Sequence, residues 1–213
     1  MKNRLIQLLK DNPREKAGIT FLANASQPEV FLKGVISADY GVSANDLRNA
    51  FAQADGAPVK LHVNSPGGDV FEGREMQAVI AGYRGEVTAV VEGVAASAAT
   101  IVTMAAKHVH MLRGSRYMIH NGWIVTIGDR HDALATHNLL AGFDAELAAE
   151  YARHTGGKAD QMTDWMDAET WFTADDALAK GFVHALVDNT QGAATANALA
   201  KDWVLSAYKA APA

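Results

Sequence analysis

Val87-Thr88-Ala89-Val90-Val91-Glu92-Gly93-Val94-Ala95-Ala96-Ser97-Ala98-Ala99 reads as a buried strand that meets a glycine and then opens a helix with a run of very small residues. The strand covers residues 87–91, and the helix continues from the alanines to about residue 106. About thirty residues upstream the same order occurs: an apolar strand over 59–63, the corner Asn64-Ser65-Pro66-Gly67-Gly68, then a helix over 71–83. Strand, glycine turn and helix, repeated at this spacing, predict parallel α/β crossovers. Functional groups then gather where the strands end at their carboxyl termini.

Working outward, two apolar runs at 19–23 and 30–36, separated by turn-forming residues, predict a pair of strands. Ser43 is placed to cap a helix reaching residue 53. Downstream, strands are expected at 108–112, 117–119 and 124–127, and a long Ala-, Leu- and Glu-rich helix at 132–153 that stops at Thr155-Gly156-Gly157. Thr173-Ala174-Asp175-Asp176 starts a short helix ending at Gly181, and residues 182–187 close the fold as a strand. Leu5, Leu8 and Leu9 share one face of an amphipathic helix at the amino end. From Asn189 the composition shifts to Ala, Asn and Gln, which predicts an appendage with a weak helix. The expected organisation is an N-terminal helical segment over 1–17, one α/β domain over 18–188 and a C-terminal appendage over 189–213.

Bulk composition narrows the function. The 213 residues are 49% apolar and 20% charged, as in a soluble globular domain. The net charge of −5 and the lack of any Lys/Arg run argue against a nucleic-acid partner. With no cysteine there is no disulfide, no thiolate metal site and no thiol nucleophile. The first residues lack the apolar core of a signal peptide, and no apolar run reaches membrane-spanning length, so a cytoplasmic protein with no membrane partner is expected.

Ser97 is the sharpest chemical feature. At a helix start after a strand, its hydroxyl faces unpaired backbone N–H groups and the positive end of the helix dipole, which suits an oxyanion forming nearby. Taken alone, such a serine reads as a helix cap or a small packing residue. The Pro66-Gly67-Gly68 corner can bare further N–H groups, although by itself it reads as an ordinary turn. His120 follows the apolar strand Tyr117-Met118-Ile119, where it could reach a neighbouring site or sit in a surface loop. His108 and His110 alternate on one strand face without a third ligand and read as structural; no metal or cofactor is expected. The carboxylates Asp164, Asp167, Glu169, Asp175 and Asp176 precede or begin a helix, where capping and solvation account for most of them.

Together these blocks resemble a known family. Asn64-Ser65-Pro66-Gly67-Gly68, Gly93-Val94-Ala95-Ala96-Ser97-Ala98, Met118-Ile119-His120 and the closing Phe172-Thr173-Ala174-Asp175-Asp176-Ala177 resemble, in order and spacing, signature blocks of the Clp protease proteolytic subunit. Residues 68–73 and Asp167-Ala168-Glu169-Thr170-Trp171 look most like the Clp-related head-maturation (prohead) proteases of tailed bacteriophages.

The resemblance implies a Clp/crotonase-type α/β fold with a protruding handle helix and an ATP-independent serine endopeptidase. It implies Ser97 as nucleophile, His120 as general base, and the backbone N–H groups of Gly67 and Ala98 as oxyanion donors. The family's orienting carboxylate falls on Glu169, four residues before Thr173, with Asp167 as the alternative. The helix over 132–153 matches the handle that packs a homo-oligomeric ring, heptameric or doubled. The implied substrate is a polypeptide, a scaffold or capsid protein of a phage head. A housekeeping Clp peptidase fed by an unfoldase, a crotonase-like acyl-CoA enzyme and a catalytically silent shell protein are the competing readings.

Overall fold

The computed structural model describes residues 4–13, 17–23, 27–188 and 203–212. Strand β3 (Val59–Ser65) lies inside the sheet, with Val59, Leu61 and Val63 fully buried. It pairs in parallel with β2 (Glu29–Lys33) on one side and β4 (Val87–Ala96) on the other, and β1 (Gly18–Leu22) pairs antiparallel with β2. The far edge of β4 is divided between two partners. Thr88–Val91 pair with β5 (His108–Leu112), and Val94–Ala96 pair with β6 (Arg116–Ile119), both in parallel. β7 (Thr170–Thr173) adds antiparallel to β6, and β8 (Ala185–Val187) adds parallel to β5, giving an eight-stranded sheet.

The crossovers follow from local chemistry. Ser43 and Asp46 form a reciprocal capping box on α2 (Ala44–Gln53). Asp69 caps α3 (Val70–Ala81) by accepting from the Phe71 and Glu72 N–H groups at 2.8 and 3.2 Å. α4 (Ala98–Met104) is almost wholly buried, which its small residues permit. Leu47, Phe51, Met76 and Ile101 from these helices share one apolar core with Leu61 and Val63 of the sheet. This is the mixed α/β architecture expected from the repeated strand–turn–helix units.

A 26-residue helix, α5 (Arg130–Thr155), begins at an Asp129–Asp132 capping box and ends at Gly156, whose φ of 72° favours glycine. Its first half is largely exposed, while Leu147, Ala148 and Tyr151 in its second half are buried in the core. The short helices α6 (Ala159–Asp167) and α7 (Ala174–Ala179) flank β7.

Two local expectations fail. Residues 124–127 form no strand, and Ile127 is 95% exposed. Their apolar character has no neighbouring strand among the described residues to pair with. The weak helix expected beyond Asn189 is not formed over 203–212, and residues 189–202 lie outside the described residues. Instead, Trp203, Ala207 and Tyr208 are buried in a second apolar cluster with Leu8 of α1 (Arg4–Asp11) and with Val94 and Met118 of the sheet. Asn12 joins the two termini by donating to the Val204 carbonyl at 3.0 Å and accepting the Val204 N–H at 2.8 Å.

Candidate active site

Ser97 sits on the turn between β4 and α4 with φ 56° and ψ −125°, a conformation that is costly for a residue with a Cβ. The turn is held from both sides. The Ser97 N–H donates to the Met118 carbonyl of β6 at 2.9 Å, and its own carbonyl accepts from the Thr100 N–H at 2.9 Å and the Thr100 hydroxyl at 2.6 Å. The Ser97 hydroxyl makes no capping bond to α4 and is free for another partner.

That partner is His120. It follows β6 directly, and the pairing of Ala96 with Met118 carries it beside Ser97 across 23 residues of sequence. The imidazole Nε2 lies 2.7 Å from Ser97 Oγ, and this is the only hydrogen bond His120 makes among the described residues. His120 is 6% exposed. Burial, with the Arg4 guanidinium as a second cause, pushes its pKa from 6.5 down to about 4, so the ring is neutral at pH 7. A neutral imidazole can accept the hydroxyl proton.

The corner after β3 lies against the same turn. Gly67 has φ 85°, and a Cβ there would stand 2.4 Å from the Ala96 carbonyl oxygen, 2.8 Å from Ser97 Cβ and 3.1 Å from the Ala98 nitrogen. Only glycine permits this approach. Its N–H is already taken, however, donating to Ser65 Oγ at 3.1 Å. Gly68 is the corner residue whose N–H has no acceptor among the described residues. Ala98 is the first residue of α4, so its N–H has no intrahelical acceptor.

Neither candidate carboxylate touches His120. Glu169 is 7% exposed and has φ 50°. Its Oε1 accepts the Ala210 N–H at 2.7 Å, and its Oε2 stands 3.5 Å from Arg4 Nη1. Asp167 lies at the surface and accepts from the Asn121 side chain at 2.6 Å. Asp164 and Asp175 lie at the surface as well, Asp175 paired with Arg113, while Asp176 closes the capping box of α7. The rings of His108, His110, His154 and His184 approach one another at 5.6–6.4 Å, away from Ser97, and no metal-binding group of side chains occurs among the described residues.

In front of the pair opens a mainly apolar cleft of about 460 Å³, with Ser97 and His120 on its wall together with Ile101, Phe143, Leu147 and Tyr151. Its shape admits an apolar side chain beside the hydroxyl. Behind His120 lies Tyr208, edge-on to the imidazole with ring centres 5.4 Å apart. No sequence pattern marked Tyr208 or Arg4, because each is a single residue in a terminal segment.

Comparison with known proteins shows the family. The family model described as Clp protease matches residues 25–190. The chain belongs to the Clp protease family. Among curated Clp relatives, it is 30% identical to ATP-dependent Clp protease proteolytic subunit 2 of Treponema pallidum, over 75% of this chain and 82% of that one. It is also 30% identical to the proteolytic subunit of Streptococcus suis, over 66% of this chain and 74% of that one. Among solved structures, a ClpP1 mutant from Listeria monocytogenes superposes with a TM-score of 0.66 at 23% identity, covering 78% of this chain and 94% of that one. That likeness supports the Clp-type fold. No described helix is long and apolar enough to cross a membrane.

Proposed function

We propose that this Clp-family chain is a serine endopeptidase that cleaves peptide bonds through an acyl-enzyme on Ser97. The observation that carries the reading is the 2.7 Å contact between His120 Nε2 and a serine hydroxyl on a strained strand-to-helix turn, at the edge of an apolar cleft. His120 takes the Ser97 proton as Oγ attacks the peptide carbonyl. The resulting oxyanion is met by the N–H groups of Ala98 and, in place of Gly67, Gly68. His120 then gives the proton to the departing amine, leaving an ester on Ser97. Water, deprotonated by the same imidazole, releases the second product and restores the hydroxyl. None of these steps uses a nucleotide.

Glu169 is the carboxylate we assign to orient His120, over Asp167. It is buried beside Tyr208 and Arg4, both of which face the imidazole, whereas Asp167 is at the surface and paired with Asn121. We further assign a ring of copies of this chain, seven to a ring. The exposed Ile124, Val125 and Ile127, with Leu134 and Leu139 of α5, supply the apolar surface for that contact. The substrate we assign is a scaffold or capsid protein of a phage head. That assignment rests on the variant blocks at 68–73 and 167–171 alone.

The deciding experiment is labelling with a fluorophosphonate, followed by mass spectrometry of the modified peptide. Modification of Ser97, lost in Ser97→Ala and His120→Ala, is the expected result. Ser97 left unmodified in every folded form of the chain refutes the mechanism. Sedimentation showing a monomer at micromolar concentration removes the ring, and failure to cleave co-expressed capsid or scaffold protein removes the phage-head substrate.

A further inference from the structure

The described C-terminal residues, 203–212, are stitched to the catalytic centre rather than laid on the surface. The Trp203 indole donates to Asn64 Oδ1 at 2.7 Å, an oxygen that also accepts the Val94 N–H at 3.1 Å. Tyr208 is buried, which keeps its hydroxyl protonated; it donates to the Pro66 carbonyl at 2.5 Å, at the corner beside Ser97. The same ring meets His120 edge-on, and Trp171 of β7 meets it from another side at 5.7 Å.

The next contact bears directly on the chemistry. A triad carboxylate must present an oxygen to the imidazole N–H. Here one Glu169 oxygen accepts the backbone N–H of Ala210 at 2.7 Å and the other faces Arg4 at 3.5 Å. Both ligands come from the terminal segments, which the Asn12–Val204 bonds join into one clamp. His120, meanwhile, has only Ser97 as a hydrogen-bond partner among the described residues. The substrate cleft stays open on the other side of the imidazole, so the clamp does not act by filling it. It acts on the catalytic groups themselves: the Tyr208 hydroxyl stands close to the Ser97 side chain, its ring packs on His120, and the Ala210 N–H occupies Glu169. The docked arrangement also buries the Trp171 indole N–H with no acceptor among the described residues, which weakens the hold of the strap.

We propose that residues 203–212 form an autoinhibitory strap which, together with Arg4, diverts Glu169 from His120 and keeps the serine–histidine pair in a low-activity state. This rests on the assignment of Ser97, His120 and Glu169 as the catalytic groups. With the strap in place the imidazolium formed on attack has a cation, Arg4, beside it and no carboxylate. With the strap displaced, Glu169 loses its Ala210 partner and becomes available to the ring.

Two substitutions test the strap without touching the catalytic groups. Ala210→Pro removes the N–H donor at an exposed position, and Arg4→Gln removes the cation. Both are measured in the full chain for fluorophosphonate labelling rate at Ser97 and for kcat and KM on an apolar chromogenic peptide, with thermal melts to verify folding. The expected result is a rise in labelling rate and kcat of roughly ten- to a thousandfold, within the range a triad carboxylate commands, at nearly constant KM. Adding Glu169→Gln should abolish the gain, which a merely loosened structure would not show. Wild-type or slower rates in both folded variants overturn the strap while leaving the peptidase intact; slower rates would make Tyr208 and its neighbours a support for His120. A gain that survives Glu169→Gln also overturns it. Absence of Ser97 labelling in every form overturns the peptidase reading and the strap with it.

Discussion

Burial of His120 should make the stability of the whole fold depend on pH in a window set by one residue. Its pKa falls from 6.5 to about 4 on folding, so between those values the unfolded chain binds a proton that the native chain refuses. Stability from this group is therefore fully present above pH 6.5 and is lost as pH falls toward 4. The loss between pH 7 and pH 5 is about 2 kcal/mol, approaching roughly 3 kcal/mol by pH 4. Against a typical total of about 5–15 kcal/mol this is a large fraction. With a urea m-value of about 2–3 kcal/mol/M, the midpoint should fall by nearly 1 M between pH 7 and pH 5.

The assay is urea unfolding followed by tryptophan fluorescence at pH 7, 6 and 5, on wild type and on His120→Asn. Other groups titrate in the same range: burial also lowers the pKa of His110 and His184. Their contribution is common to both proteins, so the difference in slope isolates His120. The reasoning fails if wild type and His120→Asn lose equal stability between pH 7 and pH 5. Arg4→Gln should shrink the wild-type loss without abolishing it, because burial is the larger cause and Arg4 the smaller.

Gly67→Ala should cost roughly 2–5 kcal/mol, combining the left-handed backbone penalty with overlap against Ala96 and Ser97, and should slow Ser97 labelling; chemical denaturation within 1 kcal/mol of wild type would refute the close approach. Ser97→Gly should be inactive yet about 1 kcal/mol more stable than Ser97→Ala, since glycine relieves the φ of 56°; the reverse order in melting temperature would refute the strain. Tyr151→Phe removes the hydroxyl that meets Thr100 Oγ1 at 2.5 Å and should cost about 1 kcal/mol, read by urea unfolding; no loss would mean that the buried bond contributes nothing.

Where sequence reading succeeded, the information was local. Ser43, Thr173 and Gly156 act at the helix ends through side chains or backbone freedom within three residues of where they sit. The glycine corner and the alanine-flanked serine were visible because their chemistry is unusual for a strand end. Residues 124–127 misled because apolar alternation signals a strand only where another strand can pair with it. α6 and β7 went unnoticed: β7 has only four residues, and the buried face of α6 is just Met162 and Met166. Periodicity cannot resolve elements that short. The clamp was illegible for a different reason. Trp203 and Tyr208 stand singly in the terminal segment, and what gives them meaning is contact with Asn64 and Pro66, about 140 residues away. The site itself divides in the same way. Ser97 and His120, which meet at 2.7 Å, stand in blocks that could be picked out along the chain, while the ligands that occupy Glu169, Arg4 and the Ala210 N–H, leave no motif.

The meeting of Ser97 and His120 depends on how the edge of β4 is shared. β5 leaves that edge after Met111, the chain turns at Gly114 with φ 93°, and β6 rejoins the same edge three residues further along β4. Buried Ser115 closes the gap by donating to the Val91 carbonyl at 3.2 Å. Had β5 continued along β4, no strand end would reach the Ser97 turn, and the Ser97 N–H would lose the Met118 carbonyl that pins its strained backbone. One fork therefore serves two ends: it brings His120 to the Ser97 hydroxyl and supplies the bond that over-determines the Ser97 backbone conformation. The antiparallel addition of β7 to β6 extends the logic, because pairing Ile119 with Thr170 places Glu169 just beyond the strand end that carries His120. Backbone pairing thus brings Ser97, His120 and Glu169 to adjoining strand ends, and the partners that Glu169 takes there, the Ala210 N–H and Arg4, come from the terminal segments.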